Sequence, residues 1–87
     1  MGVSVKQIML FGSRAKGNYS KYSDYDFLVI TKRLFPIKEK RRISKIIREN
    51  LSKFPVDIII ESEEEVKTLR NEIGTVVREA MKEGVVL

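Results

Sequence analysis

The 87-residue chain has no cysteine, no histidine and no tryptophan, and only two prolines. Without cysteine there is no disulfide, no thiol nucleophile and no cysteine-ligated zinc. Without histidine, imidazole metal ligation is excluded, and any proton transfer at neutral pH falls to a carboxylate or to water. Long apolar runs are missing as well. Ile8 to Phe11 and Phe27 to Ile30 are each only a few residues long, far short of the roughly 20 that a spanning helix needs. Met1-Gly2-Val3-Ser4-Val5-Lys6 does not lead into a continuous apolar segment, so no secretion signal is read and the expected compartment is the cytoplasm.

What is present describes a small globular protein. Hydrophobic residues make up 43% and charged residues 33% of the chain, a soluble balance. Residues 1–87 are expected to form one domain with a single modest core, marginal in stability on its own, so a homodimer or a hetero-complex is expected.

The densest chemistry lies in Gly12-Ser13-Arg14-Ala15-Lys16-Gly17, followed after a polar loop by Ser23-Asp24-Tyr25-Asp26. Ile8 to Phe11 reads as a buried strand and Phe27 to Ile30 as a second. The glycine turn then leaves one strand where the carboxylates lead into the next, at one end of a sheet. Gly12 can take backbone angles that turn N–H groups toward an anion, and Ser13 adds a hydroxyl without bulk. Asp24 and Asp26 are two residues apart, so on a strand both project from one face while Tyr25 and Phe27 project from the other. Magnesium prefers such oxygens and takes only one or two protein carboxylates when a nucleotide supplies the rest. Gly-Ser alone is an ordinary turn, and Asp-x-Asp alone often only binds its own backbone. Stability does not require the two together. Arg14, Lys16 and Lys21 are candidate phosphate clamps. Tyr25 is expected to face the core, and Tyr19 and Tyr22 to stack on a base or cover the loop.

The remaining organisation reads strand, loop, strand, helix, strand, helix. Ile43, Ile46, Ile47, Leu51 and Phe54 recur at three- and four-residue steps and predict an amphipathic helix from Pro36 to Lys53, which Pro55 stops. Val56 to Ile60 is the next strand. Ser62 and Glu65 have capping-box spacing, and Val66, Leu69, Ile73, Val76, Val77, Ala80 and Met81 keep helical spacing to Gly84, with Gly74 able to bend or divide the helix. Val85-Val86-Leu87 is either a short strand or a docking tail. Charge is uneven. Lys32 to Lys53 holds nine basic and two acidic residues, net +7, whereas Glu61 to Glu83 holds four basic and seven acidic, net −3. The basic helix is either a solvated face or a surface for nucleic acid, phosphates or an acidic protein.

The stretch from Ile8 to Ile30 resembles the signature of the DNA polymerase beta-type nucleotidyltransferase superfamily, and in particular the minimal nucleotidyltransferases: a hydrophobic residue, Gly-Ser, about ten residues, then Asp-hydrophobic-Asp-hydrophobic, matched by Phe11-Gly12-Ser13 and Asp24-Tyr25-Asp26-Phe27. The resemblance implies a mixed α+β, polymerase beta-like fold, a small mixed sheet flanked by helices. It also implies a third carboxylate on a later strand, carried over to Asp57. The implied activity is transfer of AMP from ATP to a hydroxyl, with Asp24, Asp26 and Asp57 as catalytic and magnesium-binding residues of a two-metal site and Gly12, Ser13 and Arg14 on the nucleotide phosphates. Minimal nucleotidyltransferases of this kind are typically antitoxins that modify a tyrosine of a HEPN-type toxin, so such a toxin is the implied partner. Two other readings stand beside it: an antitoxin that neutralises its partner by binding alone, and a small basic RNA-binding protein whose binding would not need the Asp pair.

Overall fold

The computed structural model describes residues 3–18, 20–21 and 23–87. Tyr19 and Tyr22 lie outside the described residues. Along the chain run β1 (Val5–Phe11), α1 (Ser13–Lys16), β2 (Tyr25–Thr31), α2 (Ile37–Asn50), β3 (Val56–Ser62), α3 (Glu63–Leu69), α4 (Val76–Glu83) and β4 (Val85–Val86). The strands form one mixed sheet in the order β3-β2-β1-β4. β1 is antiparallel to β2 and to β4, and β2 is parallel to β3.

β2 is central, and its sequence says why. Leu28, Val29, Ile30 and Thr31 are buried without interruption, as a strand covered on both faces requires. Alternation sends Leu28 and Ile30 to one side, where they pack with Met9, Phe11, Val66, Val77 and Ala80 beneath α3 and α4. Val29 goes to the other side, with Phe35, Ile43, Ile58 and Ile60 beneath α2. Thr31, fully buried, donates its hydroxyl to the Arg33 carbonyl at 2.8 Å.

A parallel pair needs a crossover, and α2 supplies it. Pro36 caps the helix start with φ −65°, the angle its ring fixes anyway. Ile43 is buried and Ile46 and Ile47 are half-buried, but the helix ends at Asn50. Leu51 and Phe54 therefore fall beyond it, and Phe54 is 56% exposed rather than part of the helical stripe.

The predicted capping box starts α3: Ser62 Oγ accepts from the Glu65 amide at 3.2 Å, and Glu65 Oε1 accepts from the Ser62 amide at 2.9 Å. Of the two outcomes open at Gly74, a bend or a division, the chain takes the division and forms two helices. α3 ends at Leu69 with Arg70 as its C-cap, and Gly74 at φ +86° turns the chain before the next helix begins. Thr75 restarts it by accepting from the Arg78 amide at 3.1 Å. Ile73, in the break, is 87% exposed although its spacing assigned it to the core. The C-terminal apolar segment resolves as a strand, with Val85 and Val86 paired to Leu10 and Met9. Among the described residues, no helix is long and apolar enough to cross a membrane.

Candidate active site

The site is built where β1 ends and β2 begins. Phe11, the last residue of β1, pairs with Asp26, and the next residue turns the chain away. Gly12 has φ +75° and ψ −159°, a region that glycine alone enters at little cost. Its carbonyl accepts from the amides of Ala15 at 3.1 Å and Lys16 at 3.2 Å, which winds Ser13–Lys16 into the short α1. A Cβ on Gly12 would lie 2.3 Å from Asp26 Oδ2. The turn and the carboxylate are thus packed against each other with no room for one methyl group.

The three sequence-predicted carboxylates come to the same end of the sheet. Asp26 and Asp57 are register partners across the parallel β2–β3 pair, and in-register partners share a face. Asp24 precedes β2 by one residue and Asp26 by two. Asp26 is half-buried, whereas Asp24 and Asp57 are exposed. Burial first, then the negative charges of Asp57, Asp24 and Glu79, hold the Asp26 carboxyl above the usual carboxylate range. None of the three makes an ion pair among the described residues.

Carboxylates at one end of the sheet, with no ion-pair partner among the described residues, have the chemistry of ligands for a hard divalent cation. Among the described residues, no three acidic side chains are gathered closely enough to hold an ion alone. A cation here would complete its shell from phosphate and water oxygens, as magnesium commonly does with a nucleotide.

Glu79 was not found by sequence reasoning. It reaches the site from α4, whose placement depends on the break at Gly74, and nothing in the local pattern separates it from the other surface glutamates. The same helix claims one candidate phosphate clamp: Lys16 Nζ lies 3.6 Å from Glu79 Oε1 and 2.7 Å from Glu83 Oε2. Hydrogen bonding to Glu83, with its charge, raises the lysine and lowers Glu83. Lys16 thus ties α1 to α4. Arg14 donates to the Ser23 carbonyl from Nε at 3.3 Å and from an Nη at 3.1 Å. Its guanidinium also lies 4.3 Å from the Tyr25 ring centroid, so the charge is fixed beside the turn. Tyr25 is half-buried rather than in the core. It lies on the α2 side, parallel to Phe27 and edge-on to Phe54, each 6.3 Å between centroids. Lys21 is exposed.

The profile of the nucleotidyltransferase domain family matches residues 2–87. A protein of Methanocaldococcus jannaschii named "Putative protein adenylyltransferase MJ0141" is 41% identical over 54 residues, covering 62% of this chain and 52% of that protein. A crystal structure described as a toxin–antitoxin with AMP-PNP superposes with a TM-score of 0.65 at 19% identity, over 95% of this chain and 60% of that one. A mutant of the toxin–antitoxin MntA-HpeT gives 0.60 at 19% identity, over 97% and 59%. The chain spans about half the length of the curated relative. At that identity the two solved structures show a shared fold.

Proposed function

This chain belongs to the nucleotidyltransferase domain family, and on that premise we propose that it transfers AMP from ATP to a protein hydroxyl. The observation that carries the reading is the contact between the two halves of the site: a glycine turn without space for a Cβ against Asp26, and Asp57 in register beside it. In the proposed reaction Gly12 and Ser13 bind the phosphates, and Arg14, anchored on Ser23 and Tyr25, neutralises charge on the departing pyrophosphate. Asp24, Asp26 and Asp57 would hold magnesium, which when bound would offset the charge of the phosphates. The acceptor oxygen attacks the α-phosphorus, the bond to the β-phosphate oxygen breaks, pyrophosphate leaves, and Asp57 takes the acceptor's proton.

The partner and acceptor of this reading are a HEPN-type toxin and one of its tyrosines. The toxin–antitoxin structures that share the fold support a toxin partner. Thermal denaturation with ATP and magnesium is the first test, on wild type and on Asp24→Asn/Asp26→Asn. A ligand at about 100 times its Kd stabilises the folded state by about 2.7 kcal/mol, a rise of about 10 °C or more for a domain this small. A magnesium-dependent rise lost in the variant, followed by an AMP mass gain on the partner, is the expected result. A nucleotide effect that survives the double substitution would overturn the assignment. Neutralisation of the partner by an inert variant would move the function to binding alone.

A further inference from the structure

β3 is a margin of the sheet, so its outer backbone groups face no neighbouring strand among the described residues. Exposed strand edges invite pairing and are usually covered or blunted. Here α2 occupies one of these groups, its Ser44 hydroxyl donating to the Ile58 carbonyl at 3.0 Å. Between α2 and the edge runs a groove of about 260 Å³, lined by Ile37, Lys40, Arg41, Ser44 and Arg48 against Ile58–Glu61.

The charge of this groove is one-sided. Lys40 is engaged by Glu61 at 3.3 Å and by Glu65. Arg41 and Arg48 have no carboxylate within ion-pair distance among the described residues, and neither does Lys38. Ile37 adds an apolar rim that is 67% exposed.

We propose that the groove takes an extended acidic segment of a partner protein, added to β3 as a further strand, with its carboxylates on Arg41 and Arg48. The two arginines are seven residues apart, about 10 Å along a helix. Same-face side chains of an extended strand repeat every ~7 Å, so two acidic positions fall within reach of both flexible guanidinia. Strand addition supplies main-chain hydrogen bonds, and the arginines select the charge. A second copy of this chain is disfavoured on the same edge, because two sets of Arg41 and Arg48 would then meet. RNA is disfavoured too. The outward cations Arg42 and Lys45 already face Glu39 at 3.7 Å and Glu49 at 4.0 Å, and no aromatic side chain lines the groove to stack a base.

The inference does not depend on nucleotide transfer, and its test is separate. Three fluorescein-labelled probes are titrated with the whole protein at 0.15 M salt: an eight-residue peptide alternating glutamate and valine, its lysine–valine counterpart, and a ten-nucleotide oligouridylate. The acidic peptide should bind, protect backbone amides of β3 from hydrogen exchange, and lose affinity at least about tenfold with Arg41→Glu/Arg48→Glu. That variant alters exposed side chains, so its circular dichroism should match wild type and ATP-dependent stabilisation should be unchanged. No binding of the acidic peptide, equal binding by the variant, binding without protection of β3, or preference for the oligouridylate would each overturn the proposal.

Discussion

Replacing Gly12 by alanine tests the central contact of the site, and its cost can be worked out from two observations. The backbone at φ +75°, ψ −159° costs a residue with a Cβ about 2 kcal/mol. Alanine's smaller unfolded-state entropy returns about 0.7 kcal/mol of that. The new Cβ would also fall 2.3 Å from Asp26 Oδ2, so the carboxylate must move and lose packing, which adds about 1 kcal/mol through the neighbour. The sum is a little over 2 kcal/mol, and a domain of this size loses roughly 4–8 °C of Tm per kcal/mol, so Gly12→Ala should melt about 10–20 °C below wild type. The assay is a double-mutant cycle by thermal denaturation without ligand. In an Asp26→Ala background the carboxylate is gone and only the backbone cost remains, so the same substitution should lower Tm about half as far. Equal losses in the two backgrounds would show that turn and carboxylate are not in contact, and the geometry proposed for the nucleotide site would fail with them.

Other substitutions separate charge from packing. Asp26→Asn should abolish transfer while raising stability at neutral pH in the absence of divalent cation. The folded-state pKa of Asp26 is raised, so the stability it contributes is present at acid pH and lost as pH rises through that value; urea midpoints at pH 3 and pH 7 should show the variant's advantage only at pH 7. Lys40→Met strips the cation from Glu61 and Glu65, whose side chains are only 17% and 25% exposed, and should cost about 1–3 kcal/mol in urea denaturation. Adding Glu61→Gln should recover part of that loss, and an unchanged midpoint for Lys40→Met would refute the network. Because the Lys16 ammonium is held by Glu79 and Glu83, Lys16→Ala should change the Kd for ATP less than about threefold, whereas Arg14→Ala should weaken it about tenfold or more. The reverse order would reassign the phosphate clamp.

The signals in this sequence that are legible are those whose physics is local. Two short apolar runs, Gly-Ser after one and Asp-x-Asp before the other, correctly give adjacent strands with a turn and carboxylates at one end. The capping box at Ser62 and Glu65 formed as its spacing requires, since both hydrogen bonds lie within one helical turn. Asp57, which only the family resemblance implies, stands in register with Asp26, a relation that depends on a crossover no local pattern contains. Misreadings occur where a tertiary relation overrides spacing. Ile73 keeps the helical period, yet α3 ends at Leu69 and the next helix starts only after the cap at Thr75, which leaves Ile73 between them and out of the core. Lys16 looks like any loop cation until α4 packs beside α1 and brings Glu79 and Glu83 to it.

The basic helix shows the same division in its sharpest form. Nine cations between Lys32 and Lys53 predict an electrostatic surface, but sequence alone cannot separate charges that neutralise neighbours from charges that do not. Folding sorts them: Arg42 and Lys45 face carboxylates on their own helix, Lys40 is consumed by β3 and α3, and Arg41 and Arg48 line the sheet's open edge without a counter-ion among the described residues. The surface that matters is therefore not the helix as a whole but the strip it shares with β3. A strand edge with no neighbouring strand among the described residues offers backbone pairing beyond the one carbonyl that Ser44 occupies, and two arginines there offer charge selection, a combination that suits a strand of opposite charge better than a polyanion read along the helix.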